Sequence, residues 1–256
     1  MEEKPKYGWY VKNLIIGFNI IGLIGLSVFI YGFLIEGIMQ IILIISGLAV
    51  ILVFLWPGIG MIMMNLFLLR KIPKIDLVAR MKALDEFDNP QILDVGCGTG
   101  RTAIKIAKAL KKGGHLFGID IYSKLAISGN ALDTVQNNAK IEKLEEKTTF
   151  QYGSATEIPF ENSFFDIVNV SSVLHEVHDP NGQVKAIQDL YRVLKPGGYL
   201  YLSEWNRTSW QLIAFTGLCC FVFKHKDYWE KLLKENNFKD IIYENITGFG
   251  IFTARK

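Results

Sequence analysis

Ile92-Leu93-Asp94-Val95-Gly96-Cys97-Gly98-Thr99-Gly100-Arg101 decides how the rest of the chain is read. Ile92 to Val95 is an apolar run of strand length, broken only by a carboxylate. Three glycines follow at alternate positions, and a helical pattern opens at Thr102. Glycine lets main chain approach a ligand closely, and the first turn of a helix presents unpaired N–H groups. The spacing is Gly-x-Gly-x-Gly, with Arg101 where a dinucleotide-binding turn carries its third glycine.

Outward from this turn, short apolar runs alternate with amphipathic ones. The pattern predicts strands at Gln91–Val95, His115–Ile119, Thr148–Tyr152, Asp166–Val170, Tyr199–Ser203, Lys239–Tyr243 and Phe249–Ala254. It predicts helices at Thr102–Lys111, Lys124–Ala139, Gln183–Val193 and Asp227–Asn236, with further helical spacing over Ile75–Phe87. Such alternation predicts an α/β domain whose mostly parallel, seven-stranded sheet is covered on both faces. In an open sheet of this kind, ligands collect at the carboxyl ends of the strands. Asp120 closes the second predicted strand, where a carboxylate can accept from both hydroxyls of a ribose or cap the next helix.

The chain upstream is of another kind. Between Asn13 and Leu69 the only charged side chain is Glu36. A helix needs about 20 apolar residues to cross the hydrocarbon. The stretch is too long for one crossing and divides at Glu36–Gly37 into spans at 14–35 and 38–56, with Pro57–Gly58 expected to end the second; Ile59 to Leu69, too short to cross, either lies along the interface or extends the second helix past a kink. Glycines 17, 22, 25 and 32 can let the two helices pack closely. Lys4, Lys6 and Lys12 precede the first span, while Arg70, Lys71 and Lys74 follow the second. The positive-inside rule therefore puts both termini and the downstream domain in the cytoplasm, and Tyr7, Trp9, Tyr10 and Trp56 suit the aromatic belts. The expected division is a membrane region over 1–71 and a catalytic domain over 72–256. A cleaved signal peptide does not account for a second span.

Composition agrees. Half of the 256 residues are hydrophobic, which excludes intrinsic disorder. A net charge of +3, from 28 basic and 25 acidic side chains, gives no reason to expect a nucleic-acid partner. The cysteines, Cys97, Cys219 and Cys220, have neither zinc-site nor disulfide-framework spacing, so no metal is expected.

Taken together, the glycine turn, Asp120, Tyr152–Phe160 (YGSATEIPF), Ser163–Val177 (SFFDIVNVSSVLHEV) and Leu190–Glu204 (LYRVLKPGGYLYLSE) resemble the class I S-adenosylmethionine-dependent methyltransferases. Among these, the chain looks most like the members acting on quinones, sterols and other lipophilic small molecules. The resemblance covers Pro90 to Gly198 closely and the remainder loosely. It implies a Rossmann-like fold and S-adenosyl-L-methionine as cofactor. It further implies that Gly96, Gly98 and Gly100 bring main chain against the methionine part and ribose, that Asp94 positions the methionine ammonium, and that Asp120 holds the ribose diol. Ile121 is then expected against the adenine, Ser154 and Ala155 at its edge, and Ser171 near the methionine end. The chain departs from the family at Ser154, where relatives often carry Asp, and a hydroxyl accepts less strongly than a carboxylate.

Methyl transfer needs a base only when the acceptor must lose a proton. His175, just past the fourth strand, is the candidate, as a neutral imidazole near pH 7; a structural or gating histidine is the competing reading. Glu204, ending the fifth strand, is the second ionisable candidate at the site, against an exposed strand end or a bond to the following loop. Cys97 reads as filler in the turn. Trp210 to Phe223 (WQLIAFTGLCCFVF) holds no charge over 14 residues, too few to span a bilayer. It reads either as a buried helix or as a lid dipping into the membrane surface, framed by Arg207, Lys224, His225 and Lys226. The expected activity is methylation of a lipophilic small molecule or lipid by a membrane-anchored enzyme. The alternatives are a membrane protein or peptide as acceptor, or a silent cofactor-binding scaffold.

Overall fold

The computed structural model describes residues 3–68, 77–111, 113–246 and 248–256. The expected helix start at Ile75, the basic residues Arg70, Lys71 and Lys74, and the boundary at 71/72 lie outside the described residues.

Two antiparallel helices come first. α1 spans Lys12–Gly32, and α2 (Ile38–Val50) runs through a π-helical turn at Ile51–Leu55 into α3 (Trp56–Met63). Both Lys12–Gly32 and the continuous Ile38–Leu66 are long and apolar enough to cross a membrane. Only 17% of the first apolar window and 6% of the second is buried, which argues against core helices. The helices touch through glycines: a Cβ at Gly25 would meet Val50, one at Gly32 would meet Ile44, and one at Gly47 would meet Phe29. Gly17, expected at this seam, faces open space.

Pro57 does not end the second helix. It lies within the continuous Ile38–Leu66 helix, directly after the π-helical turn at Ile51–Leu55. The π turn just before it widens the ladder by one residue, the usual way for a helix to absorb such an interruption. The helical spacing seen before the first strand resolves into two 3-10 turns, Val78–Arg80 and Lys82–Asp85.

The remainder is one sheet flanked by helices. Its strands are β1 (Gln91–Val95), β2 (His115–Asp120), β3 (Thr148–Tyr152), β4 (Phe165–Ser171), β5 (Leu194–Trp205), β6 (Lys239–Ile246) and β7 (Phe249–Arg255). The helices are α4 (Arg101–Ala109), α5 (Leu132–Ile141), α6 (Pro180–Val193), α7 (Trp210–Thr216) and α8 (Lys226–Glu235). The strand order is β3-β2-β1-β4-β5-β7-β6, parallel throughout except for β7, which runs antiparallel to β5 and β6. Winding reverses between β1 and β4, the position where open α/β sheets bind ligands. The central strands are buried on both faces, which is why they read as continuous apolar runs.

The largest departure from the expected elements is the loss of the first two turns of the helix expected at Lys124–Ala139. Residues 121–130 form a loop instead. Ser128 N–H donates to Trp9 O (2.9 Å), and Val11 N–H donates to Ala126 O (2.7 Å). The Asn130 amide donates to Ser123 O (3.1 Å). Bonds from the N-terminal segment thus take up backbone groups that a helix would have satisfied internally.

Candidate cofactor and acceptor site

Asp94 leaves β1 level with Asn169 of β4, whose side-chain amide donates to Asp94 Oδ1 at 2.6 Å. Asp94 Oδ2 is buried and has no hydrogen-bond partner. Burial pushes the carboxyl up to about 7, against the pull of the Asn169 amide, while Asp120 adds to the rise and the Ala103 main-chain N–H, which falls short of a full hydrogen bond to Oδ2, offsets part of it. A buried carboxylate oxygen without a donor is costly, and a cation placed beside it would relieve that cost.

The glycine turn is built for approach by main chain. Gly96, Gly98 and Gly100 have φ of +69°, +55° and +86°, a region that side chains with a Cβ rarely adopt. Gly96 and Cys97 both donate their N–H to Ile119 O, tying the turn to the end of β2 (2.7 and 3.0 Å). A Cβ at Gly96 would strike Val173, and one at Gly98 would lie 2.7 Å from Ile127 Cδ1. Burial pushes the Cys97 thiol well up, which leaves it poorly nucleophilic.

Asp120 closes β2 with both oxygens engaged. Oδ2 accepts from Gly98 N–H (2.9 Å), and Oδ1 accepts from Tyr122 N–H and from the Asn130 amide (3.2 Å). Gly153 N–H donates to Asp120 O (3.1 Å), which brings the turn after β3 alongside. In that turn Ser154 Oγ accepts from Thr156 N–H (3.2 Å), and Ala155 is packed into the core. Ser154 also lines a groove of about 830 Å³ together with Tyr152, Glu157 and Phe164. Ile121 is half exposed beside Asp120. The glycines, Asp94, Asp120, Ile121 and the Ser154–Ala155 turn therefore share one edge of the sheet.

Residues 3–11 cross this edge. Thr99 Oγ1 donates to Tyr7 O (3.0 Å), and the Arg101 guanidinium donates to Tyr7 O and Gly8 O (3.3 and 3.2 Å). That guanidinium also lies 5.5 Å from the ring centres of both Tyr7 and Tyr10. The Asn138 side chain accepts from Lys6 N–H and donates to Lys6 O and Thr99 O. Tyr10 N–H donates to Asn65 Oδ1 (3.1 Å) beyond α3. Sequence reasoning placed Tyr7 and Tyr10 in an aromatic belt; they pack on Arg101 instead. Thr99, Asn130, Asn138 and Asn169 were also missed. Only Asn169 gave a signal, as an amide inside an otherwise apolar strand.

On the other side of the turn, β4 ends at Ser171, level with Ser203 of β5. The 3-10 turn Leu174–Glu176 follows. Glu204 Oε1 accepts the N–H groups of Val173 and Leu174 (2.9 and 2.7 Å), and its Oε2 lies 2.7 Å from His175 Nδ1. Glu204 is 1% exposed, so it is no exposed strand end. Burial pulls the His175 imidazole down, but the Glu204 carboxylate and the bonds to Glu176 and Glu204 outweigh it, and the ring is held up to about 10. The Glu204 carboxylate beside the ring therefore favours the protonated form of His175, where the sequence led to the expectation of a neutral imidazole. Its ring meets Phe223 edge-on at 5.1 Å.

A cationic ammonium such as that of S-adenosylmethionine would satisfy the Asp94 oxygen, whereas both Asp120 oxygens are already engaged, so that a ribose diol there would have to displace the Asn130 amide.

Residues 86–245 match a family described as a methyltransferase domain. The chain is 30% identical to the demethylmenaquinone methyltransferase of Lactiplantibacillus plantarum over 125 residues, 49% of each protein. It is 31% identical over 119 residues to the ubiquinone/menaquinone biosynthesis C-methyltransferase UbiE of Pectobacterium carotovorum, covering 46% of this chain and 44% of that one. The chain thus spans about half the length of the curated relatives it matches. In fold it is similar to a SAM-dependent methyltransferase from Aquifex aeolicus, with TM-score 0.57 and 18% identity over 71% of this chain and 90% of that one.

Proposed function

Because the chain belongs to the class I S-adenosylmethionine-dependent methyltransferase family, we propose that it is a membrane-anchored enzyme that methylates a lipophilic small molecule or lipid. The observation that carries the cofactor part is the buried, unpartnered Asp94 oxygen beside three left-handed glycines at the reversal point of the sheet. The acceptor class draws on three features together. Relatives are named for menaquinone and ubiquinone methylation, the hairpin is uncovered and apolar, and the apolar 210–223 stretch meets His175 through Phe223.

When bound, S-adenosylmethionine supplies a methyl carbon on a sulfonium, an electrophile that needs no further activation. The protein's task is then to position an acceptor atom in line and to keep water away. Asp94 neutralises the ammonium, Asp120 holds the ribose hydroxyls, and Ile121 packs against the base, with Ser154 and Ala155 at its edge and Ser171 toward the methionine end. His175, fixed by Glu204, sits at the acceptor mouth. As a cation it can hold an acceptor oxygen that is already ionised; an acceptor that still carries its proton gives it to the neutral ring, which frees the electron pair that attacks the methyl carbon. It serves as a base only after losing the proton that Glu204 helps it hold. The hairpin within 1–71 tethers the 72–256 domain where such acceptors are concentrated, with both termini cytoplasmic.

The test is full-length protein in liposomes of extracted lipid, given methyl-labelled S-adenosylmethionine. Label in the organic phase supports a lipid acceptor. Label in precipitated protein favours a membrane protein or peptide. Bound cofactor with label in neither fraction favours a silent scaffold.

A further inference from the structure

The stretch from Trp210 to Val222 has two faces. Leu212 and Cys220 are buried with Met64, Trp205 and Phe249 in a small core of their own. Trp210, Leu218, Phe221 and Val222 point outward, 71%, 57%, 65% and 60% exposed. Four large apolar side chains that exposed, within 13 residues of sequence, are unusual for a surface facing water only.

The position of this face is set by the hairpin. A helix of the length of Ile38–Leu66 extends about 43 Å, against a hydrocarbon thickness of about 30 Å. Counted from the turn before Ile38, the hydrocarbon ends near Pro57, and the next two turns of helix stand at headgroup depth. The Trp210–Val222 stretch is fastened to this level. Trp56 Nε1 donates to Ala214 O at 2.8 Å, Gly217 lies against Pro57 and Trp56, and a Cβ at Gly60 would collide with Phe215 O. Arg207, over the Phe221 ring at 5.8 Å, and Lys224 bring positive charge to the rim.

We infer that the outer face of Trp210–Val222 is a second membrane contact, seated at the headgroup–acyl boundary of a phospholipid bilayer. The inference rests on the hairpin being membrane-spanning. Its apolar exposure, its attachment at Trp56–Gly60 and its basic rim all match that boundary. The consequence concerns acceptor access. Phe223, the residue after this stretch, touches His175. The acceptor mouth therefore opens at the membrane surface, and a lipid acceptor reaches it laterally from the bilayer without passing through water.

The experiment uses the full chain in liposomes, with Cys219→Ser and Cys220→Ala and a bimane fluorophore at one introduced cysteine. Leu218→Cys reports the proposed contact, Leu23→Cys the middle of α1, and Lys147→Cys the opposite end of the sheet. Labelled protein is kept for analysis only where it still binds S-adenosylhomocysteine. Expected is loss of Leu218→Cys emission with phospholipid spin-labelled near the headgroup and none with aqueous iodide, while Lys147→Cys shows the reverse. Quenching of Leu218→Cys by iodide overturns the inference. So does emission insensitive to both quenchers, the mark of a face covered by a second copy. In either case Leu23→Cys quenched by deep spin label leaves the hairpin reading intact, and its failure to be quenched sinks that reading as well. In the chain with native cysteines, Trp210→Phe should remove part of the fluorescence quenched by brominated phospholipid; unchanged quenching contradicts the proposed contact.

Discussion

The two sides of the glycine turn solve different problems. On the side proposed for the cofactor stand three left-handed glycines and the carboxylates of Asp94 and Asp120. On the side proposed for the acceptor stands one side-chain pair, His175–Glu204, with an apolar cover. The first kind of site tolerates few residue types, so its spacing shows in the sequence. The second depends on which side chains meet across strands, and spacing does not show that.

Substitutions should separate the two sides. The largest effect is expected from Glu204→Ala, which leaves the His175 cation buried and two amides without an acceptor. It should cost about 3–5 kcal/mol of stability, read by chemical denaturation. Glu204→Gln should keep more of the stability and cofactor affinity while lowering turnover. An equal loss of affinity would erase the distinction between the sides.

Asp120→Ala should act in the opposite sense. Loss of charge-assisted bonds of about 1.5–3 kcal/mol predicts roughly 10- to 150-fold weaker cofactor binding, with the fold retained in circular dichroism. Gly98→Ala should cost about 1–3 kcal/mol, because the residue is left-handed and its new methyl meets Ile127. Its thermal midpoint and cofactor affinity should fall together.

Acidity gives a finer contrast. The folded His175 lies above its ordinary 6.5, at about 10, so the pair's stabilisation is present below 6.5 and is lost as pH rises through about 10. Asp94, raised from 3.8 to about 7, likewise favours the folded state less as pH climbs through that window. Asp94→Asn should therefore make the cofactor-free protein less sensitive to pH between about 4 and about 7, while weakening cofactor binding. The smallest effect expected is from Arg101→Ala, about 0.5–2 kcal/mol for the lost contact with Tyr7 and Tyr10, seen as faster hydrogen exchange in residues 3–11.

The same contrast explains what was legible in the chain. All seven strands lie where alternation put them, because central strands buried on both faces must be apolar. Asp94, Asp120 and the glycines are recognisable because a turn of that geometry admits little else. The helix expected from Lys124 starts only at Leu132, since bonds from Trp9 and Val11, more than 110 residues away in sequence, take up the backbone of 126–128. The pairing of His175 with Glu204 was hidden for the same reason: Glu204 stands on another strand, and nothing local announces that the two touch. Pro57 misled differently, because a proline breaks a helix in isolation but is absorbed by one additional residue in the turn before it.

The most direct test of the cofactor site is calorimetric titration of the detergent-solubilised full chain with S-adenosylmethionine, S-adenosylhomocysteine and NADH, repeated on Asp120→Ala. Binding of both adenosyl ligands but not NADH, weakened in the variant, is the predicted result. Absence of adenosyl binding in a folded sample, or equal binding by the variant, would contradict the assignment of the glycine turn and Asp120 to the cofactor.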